Sequence, residues 1–179
     1  MSKKALFRFF LPAIVFSLLL GLLHWFLRWE LIFLTGGVFL GFVLWETDNL
    51  FYLLFKSPYE YHSVRFKYFL SNRQIASAIN FLAQTKAERP QTVFVSVPFQ
   101  ILLVFVMVFI LTSSTSLAGK GIVLGLFLRT LILQVTSILR VGNITAWFWQ
   151  FKKVPSVNVQ VLYFVLLLLL FLFFSLFLV

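Results

Sequence analysis

The chain contains no cysteine. That absence excludes disulfides, thiolate nucleophiles and cysteine-ligated metal centres together. Carboxylates are nearly as scarce, with five Asp and Glu beside 15 Lys and Arg and two His in 179 residues. Acid–base and metal chemistry therefore have few side chains to draw on. No internal repeat can be aligned, which counts against inverted-repeat transporter architectures, and no low-complexity linker divides the chain. Charged residues make up only 11% of the sequence and hydrophobic ones 61%, with a mean hydropathy of +1.02. Soluble domains are roughly 45–50% apolar.

The apolar residues fall into five runs, 9–27, 31–45, 93–112, 121–139 and 161–179. A helix crosses the ~30 Å hydrocarbon core with about 20 residues, and all but the second run have that length. The pattern predicts an all-α, polytopic transmembrane helix bundle of about five spans, a single membrane domain over 1–179. The first two runs as one helix would extend about 55 Å, so a turn near Arg28-Trp29-Glu30 should fold them into a hairpin. Lys3, Lys4 and Arg8 ahead of the first run resemble a signal-peptide n-region. The run is too long for an h-region and no small-x-small site follows it, so it reads as an uncleaved span. The second run is short. Either it extends through Glu46-Thr47-Asp48 into 50–55, or 50–55 lies at the interface.

Basic residues sort by side. With the N-terminus cytoplasmic, Lys3, Lys4, Arg8, Lys56, Arg65, Lys67, Arg73, Lys86, Arg89, Arg140, Lys152 and Lys153 lie inside, and only Arg28 and Lys120 outside. This asymmetry predicts a cytoplasmic (inner or plasma) membrane protein with its N-terminus inside and its C-terminus outside. The net charge of +10 then points to membrane lipids, anionic headgroups included, as partners. Nucleic acid is not expected, since no basic segment is interleaved with a binding motif. Between spans two and three, 71–89 reads as a cytoplasmic amphipathic helix. Ser71-Asn72-Arg73-Gln74 fits a capping box, Ile75, Ala78, Ile79 and Leu82 follow at helical spacing, and Arg89-Pro90 ends it. Docking on the protein is preferred over lying in the interface, because the segment lacks a dense basic face.

Arg129 is the most unusual residue, since an arginine near the middle of a span costs roughly 2.5–3.5 kcal/mol on insertion scales. With Gln134 and Gln100 it forms a candidate polar intramembrane site, whose functional reading is an anion or lipid-phosphate contact. The structural reading, a snorkelling or carbonyl-capping arginine, is preferred. An ion pair would require Glu46 or Asp48 to reach inward. Glu46, Asp48, Glu60 and His62 form a candidate acidic/histidine cluster on the cytoplasmic face. They lack the spacing of a metal motif, so no metal or cofactor is expected. Ser113, Ser114 and Ser116 have no nearby base. Gly37 and Gly41, and Gly121 and Gly125, are i,i+4 small-residue pairs expected to pack helices closely. Pro98 should bend the third span. Trp147, Trp149, Lys152 and Lys153 read as an interface anchor. The last span, almost pure Leu and Phe, reads as lipid-facing. Asn143-Ile144-Thr145 matches a glycosylation sequon on the cytoplasmic side and is taken as chance.

The stretch Gly37-Val38-Phe39-Leu40-Gly41-Phe42-Val43-Leu44-Trp45-Glu46-Thr47-Asp48, an apolar span running into an aspartate, resembles small inner-membrane metal-dependent hydrolases of the phospholipase C-like kind. The resemblance implies membrane-bound hydrolysis with histidines beside later spans. Here Asn49 stands where a histidine would follow and no His-Ser pair is found, so no catalytic residue is carried over. The chain therefore reads as a structural or interaction component of a cytoplasmic membrane, packing against itself or another membrane protein, with no evident catalytic set. The alternatives are a small transporter or transport subunit using Arg129 as an anion contact, and a degenerate or divergent membrane-bound metal-dependent hydrolase.

Overall fold

The computed structural model describes residues 3–24, 28–56, 59–74, 77–78, 80–81, 85, 92–113, 116–176 and 178. Its regular elements, among the described residues, are all helical: α1 (Lys3–Leu23), α2 (Arg28–Leu44), α3 (Thr47–Phe51) continuing as a π-helical turn (Tyr52–Lys56), α4 (Tyr61–Ser71), α5 (Val97–Ser113), α6 (Leu117–Val141), a 3₁₀ turn (Thr145–Phe148) and α7 (Val157–Leu176). Three stretches, Trp29–Phe51, Leu117–Val141 and Val157–Leu176, are long and apolar enough to cross a membrane, and Phe9–Leu23 and Val97–Ser113 are shorter apolar helices. The chain is thus an all-helical protein of membrane type.

The seam between α2 and α6 organises the bundle. Gly37 and Gly41 face the backbone of α6, where a Cβ would collide with the carbonyls of Ala118 and Ile122. Gly121 and Gly125 face α2 in return, and a Cβ at Gly121 would lie 2.5 Å from the Leu34 carbonyl oxygen. The contacts rise together along both helices, 37 with 118 and 41 with 122, so α2 and α6 run parallel. Two helices approach this closely only where side chains are missing from both, and in lipid that backbone-level van der Waals contact replaces the hydrophobic drive. Gly36, on another face, has nothing within 4 Å of where its Cβ would be.

The remaining apolar helices clasp this pair. α1 packs on α2 through Phe9 and Phe10 against Phe42 and Phe39, with Ala13 buried between them. α5 and α7 pack on α6, where Leu103, Met107, Phe127 and Phe171 share one core. The Phe127 and Phe171 rings stack at 5.6 Å. At one end a second core joins Trp45, Val97, Ile144, Trp147 and Phe148.

Several sequence expectations are corrected. Arg28-Trp29-Glu30 is not a turn but the helical start of α2, while α1 ends at Leu23. Glu30 thus lies in the first turn of α2, where a carboxylate meets the positive end of the helix dipole. Pro98 does not bend a span. It occupies the first turn of α5, where no intrahelical N–H is needed, behind Ser96, whose Oγ accepts the Phe99 N–H at 3.3 Å. Trp147 is core rather than anchor, 2% exposed against Trp45, and the Trp149 indole N–H donates to the Val95 carbonyl at 2.8 Å. α7, expected to face lipid all round, is exposed on one side only, since Gln160, Leu167, Phe171 and Ser175 form a buried stripe. The sequon asparagine is structural: Asn143 Oδ1 accepts the Thr145 N–H, just after Gly142 closes α6 in the left-handed conformation at φ 78°. Ser71 does not open a helix either. It ends α4, and Arg73 turns the chain with φ 56°. Of the expected 71–89 helix, Ile75, Ile79, Leu82, Gln84 and Lys86 lie outside the described residues, while 77, 78, 80 and 81 are helical. Ala78 there is buried against Leu53 and Phe66.

The seam yields a sharp contrast. Gly41→Ala and Gly125→Ala should each cost at least the ~1–3 kcal/mol of an overpacked core, because the obstacle is backbone. Gly36→Ala should be neutral or stabilising by up to ~1 kcal/mol through helix propensity. Thermal unfolding in detergent measures both, and equal effects at positions 36 and 41 would mean that α2 and α6 are not in this contact.

Candidate functional site

One helical turn beyond Gly125, and on its stripe, stands Arg129. Its Nη2 donates to Glu46 Oε1 at 3.0 Å, and its guanidinium carbon lies 4.3 Å from the Phe9 ring centre and 4.9 Å from that of Phe42. The Phe9 and Phe42 rings meet edge to face at 5.2 Å and close over the cation. Glu46 reaches this position because α2 tightens as it ends. Glu46 N–H bonds to Val43 O, Asp48 N–H to Trp45 O and Asn49 N–H to Glu46 O, all three-residue steps. The turn leaves the Glu46 carboxylate within reach of Arg129 on α6. Its second oxygen accepts from Asn49 Nδ2 at 3.4 Å. The side chains of Arg129 and Glu46 are 11% and 29% exposed, so the pair is sheltered at the arginine and wetter at the carboxylate.

Two residues on, Asp48 is 3% exposed. Its carboxylate accepts the backbone N–H of Val93 at 3.1 Å and of Phe94 at 2.7 Å. This fixes the approach to α5, so the end of α2 and the start of α5 share one clamp. Glu60 and His62 go elsewhere. Glu60 accepts from Tyr52 Oη at 3.3 Å on the surface, and the His62 ring lies 5.9 Å from that of Phe81. The four residues of the candidate acidic/histidine cluster are thus divided among separate contacts. Among the described residues, no group of three or more His, Cys, Asp or Glu could hold a metal ion.

The candidate polar site is split as well. Gln134 is five residues from Arg129, about 140° around α6, and faces α5 and α7 instead. There its Nε2 donates to Gln100 Oε1 at 3.2 Å, and Tyr163 Oη donates to the same oxygen. Gln100 and Gln134 are fully buried. Gln100 Nε2 and Gln134 Oε1 have no partner among the described residues. Sequence reasoning missed Tyr163, although its place one turn beyond Gln160 on an otherwise Leu/Phe helix was a signal. It also missed Gln160, which is 2% exposed. Gln160 accepts the Ile144 N–H at 2.9 Å and donates to Pro155 O at 2.9 Å, tying the 3₁₀ turn to α7. Of the serines, Ser113 ends α5 by donating to Phe109 O and Ser116 caps α6 through the Gly119 N–H, while Ser114 lies outside the described residues.

Comparison of the chain with protein-family models, with curated proteins and with solved structures returns no match.

Glu46→Ala strands the guanidinium and should cost up to about 3 kcal/mol, the low end for breaking a buried pair, because the carboxylate is partly solvated. Adding Arg129→Met removes the stranded charge and should restore most of the loss. A double-mutant cycle by thermal unfolding reads the coupling. A double variant no more stable than Glu46→Ala would show that the pair does not act as a unit.

Proposed function

We propose that this chain is a five-span component of a cytoplasmic membrane, N-terminus inside and C-terminus outside. On this reading it acts through its contacts with lipid and with other membrane proteins or further copies of itself, not through chemistry in its interior. The observation that carries the proposal is the closure of Arg129. A transport path for anions requires a cation left available to its cargo. Here the guanidinium is bonded to Glu46 and covered by Phe9 and Phe42, and the buried glutamines bond to each other and to Tyr163. The hydrolase reading gains no support, since Glu46 and Asp48 are each committed to a bundle contact.

Five crossings are supported by how the helix ends associate. The end of α2 meets the start of α5 through Asp48, and the end of α6 meets the start of α7 through Gln160. Trp45 and Trp147 bring those two ends together. At the opposite end His24, just after α1, contacts the Ser175 carbonyl near the end of α7 at 2.9 Å. Apolar helices that alternate in direction in this way return the C-terminus to the side opposite the N-terminus. The shorter α5, of 17 residues, fits such a role with local bilayer thinning. The twelve-to-two partition of basic residues sets the orientation.

The absence of cysteine makes the test direct. Single cysteines at Tyr59, Ser116, Thr130 and Gln134 are exposed in membrane vesicles to an impermeant thiol reagent. Ser116→Cys should react from outside, Tyr59→Cys only from inside, and the buried Thr130→Cys and Gln134→Cys from neither side. Reversal of the first two overturns the orientation. Reaction at Thr130 or Gln134 from both sides would reveal an aqueous path and put the transporter reading first.

A further inference from the structure

We infer that α4 is a membrane-contacting helix whose outer face docks on the anionic headgroups of the leaflet beside it. Its inner face is already occupied. Ser63 and Phe66 are 0% and 3% exposed, packed with Leu53 and Ala78 and flanked by Phe69 and Phe81. The outer face is not the polar surface that a helix in water presents. At about 100° per residue, Tyr61, Val64 and Tyr68 fall within an arc of roughly 60° opposite Phe66, and they are 66%, 55% and 61% exposed. Arg65 and Lys67 lie roughly 70–90° to either side of the middle of that stripe. α4 is therefore apolar on two opposite faces, with a cation along each margin of the exposed one.

The chemistry of that face selects a lipid surface. Tyrosine, apolar in its ring and polar at its tip, prefers headgroup depth. Basic margins around an apolar stripe suit an anionic leaflet. No carboxylate occurs between Tyr61 and Ser71, and among the described residues neither Arg65 nor Lys67 makes an ion pair. Arg65 stands at the margin between the two faces: Nη1 donates to Tyr61 Oη at 2.5 Å, and the guanidinium carbon lies 5.8 Å from the Tyr61 ring centre and 5.6 Å from that of Phe81. The surroundings continue the surface. α4 packs on the π-helical turn that prolongs the membrane-length stretch Trp29–Phe51, and next to it Phe51 and Phe55 expose rings 5.2 Å apart. The inference that this leaflet is the cytoplasmic one rests on the orientation proposed above; the docking itself does not.

The test uses the full chain in lipid nanodiscs, with Val64→Cys carrying an environment-sensitive fluorophore. Discs are made of phosphatidylcholine alone or with a minor fraction of phosphatidylglycerol, each with and without a lipid spin-labelled at the headgroup. In the anionic discs we expect a blue-shifted emission and at least twofold stronger quenching than in phosphatidylcholine. That difference should vanish in an R65Q/K67Q background. No quenching in either disc would overturn the proposal and leave the stripe to a protein partner. Equal quenching in both discs, unaffected by R65Q/K67Q, would overturn the anionic-headgroup assignment. Discs expose both leaflets, so the result holds whichever orientation the cysteines at Tyr59 and Ser116 report, and failure of the orientation is read separately.

Discussion

The close approach of α2 and α6 constrains almost everything else in this molecule. Lipid tails are as apolar as leucine, so helices inside a bilayer gain little by hiding leucines from them. What they gain comes from backbone-level contact where both partners lack side chains. Gly37, Gly41, Gly121 and Gly125 provide that contact on both sides of one seam. Because each glycine meets a carbonyl of the other helix, the seam fixes register as well as distance. Four residues after Gly125 comes Arg129, and five after Gly41 comes Glu46. The ion pair is therefore a consequence of the glycine register, completed by the tightened turn that ends α2.

The same turn closes one end of the bundle. Over four residues it presents Trp45 to Trp147, Glu46 to Arg129 and Asp48 to the Val93 and Phe94 amides. Helix ends leave backbone groups unsatisfied, and where an end meets apolar surroundings those groups must be answered by side chains. Ser96 answers one of them in the first turn of α5, Asp48 holds the Val93 and Phe94 amides just ahead of that helix, and Gln160 joins the 3₁₀ turn to α7. In a chain with five carboxylates, two of them lie on this one turn and bring their charge-assisted bonds to a single junction. The resemblance of this stretch to a hydrolase motif rested on the same Asp48, whose carboxylate here serves the backbone.

How much of this was legible depended on whether a feature is local. The apolar runs and both glycine pairs could be read directly, since hydrophobicity and i,i+4 spacing are properties of one segment. That the two pairs face each other is tertiary and could not be. Arg129 stood out by its cost in a span, and Glu46 was named as a group that would have to reach inward, but the turn that brings it there has no sequence signature. Grouping Arg129 with Gln134 and Gln100 was avoidable, because five residues on a helix place Gln134 on another face. Pro98 was avoidable too, as Ser96 just ahead of it is an N-cap signal. α4 was missed for a physical reason: it is apolar on two opposite sides, which blurs the single stripe that marks an amphipathic helix.

The two sides of α6 are held by different means, and this bears on where change can occur. Toward α2 the contact is backbone on backbone and tolerates almost no adjustment. Toward α5 and α7 it is interdigitated Leu, Phe and Met around the Gln100–Gln134–Tyr163 trio, in which Gln100 Nε2 and Gln134 Oε1 find no partner among the described residues. Between α5 and α7 an apolar groove of about 270 Å³ runs along Ile101, Val104, Phe105, Tyr163, Leu166 and Leu170. Side-chain packing of this kind can be redistributed by rotamer changes, whereas a glycine seam can only open. A half-satisfied amide pair also gives up little when it is rearranged. Any movement of the bundle should therefore leave α2 and α6 together as one body and shift α5 or α7 against it. The Asp48 bonds to Val93 and Phe94 just ahead of α5, and Gln160 in the first turn of α7, are then the points about which they would turn.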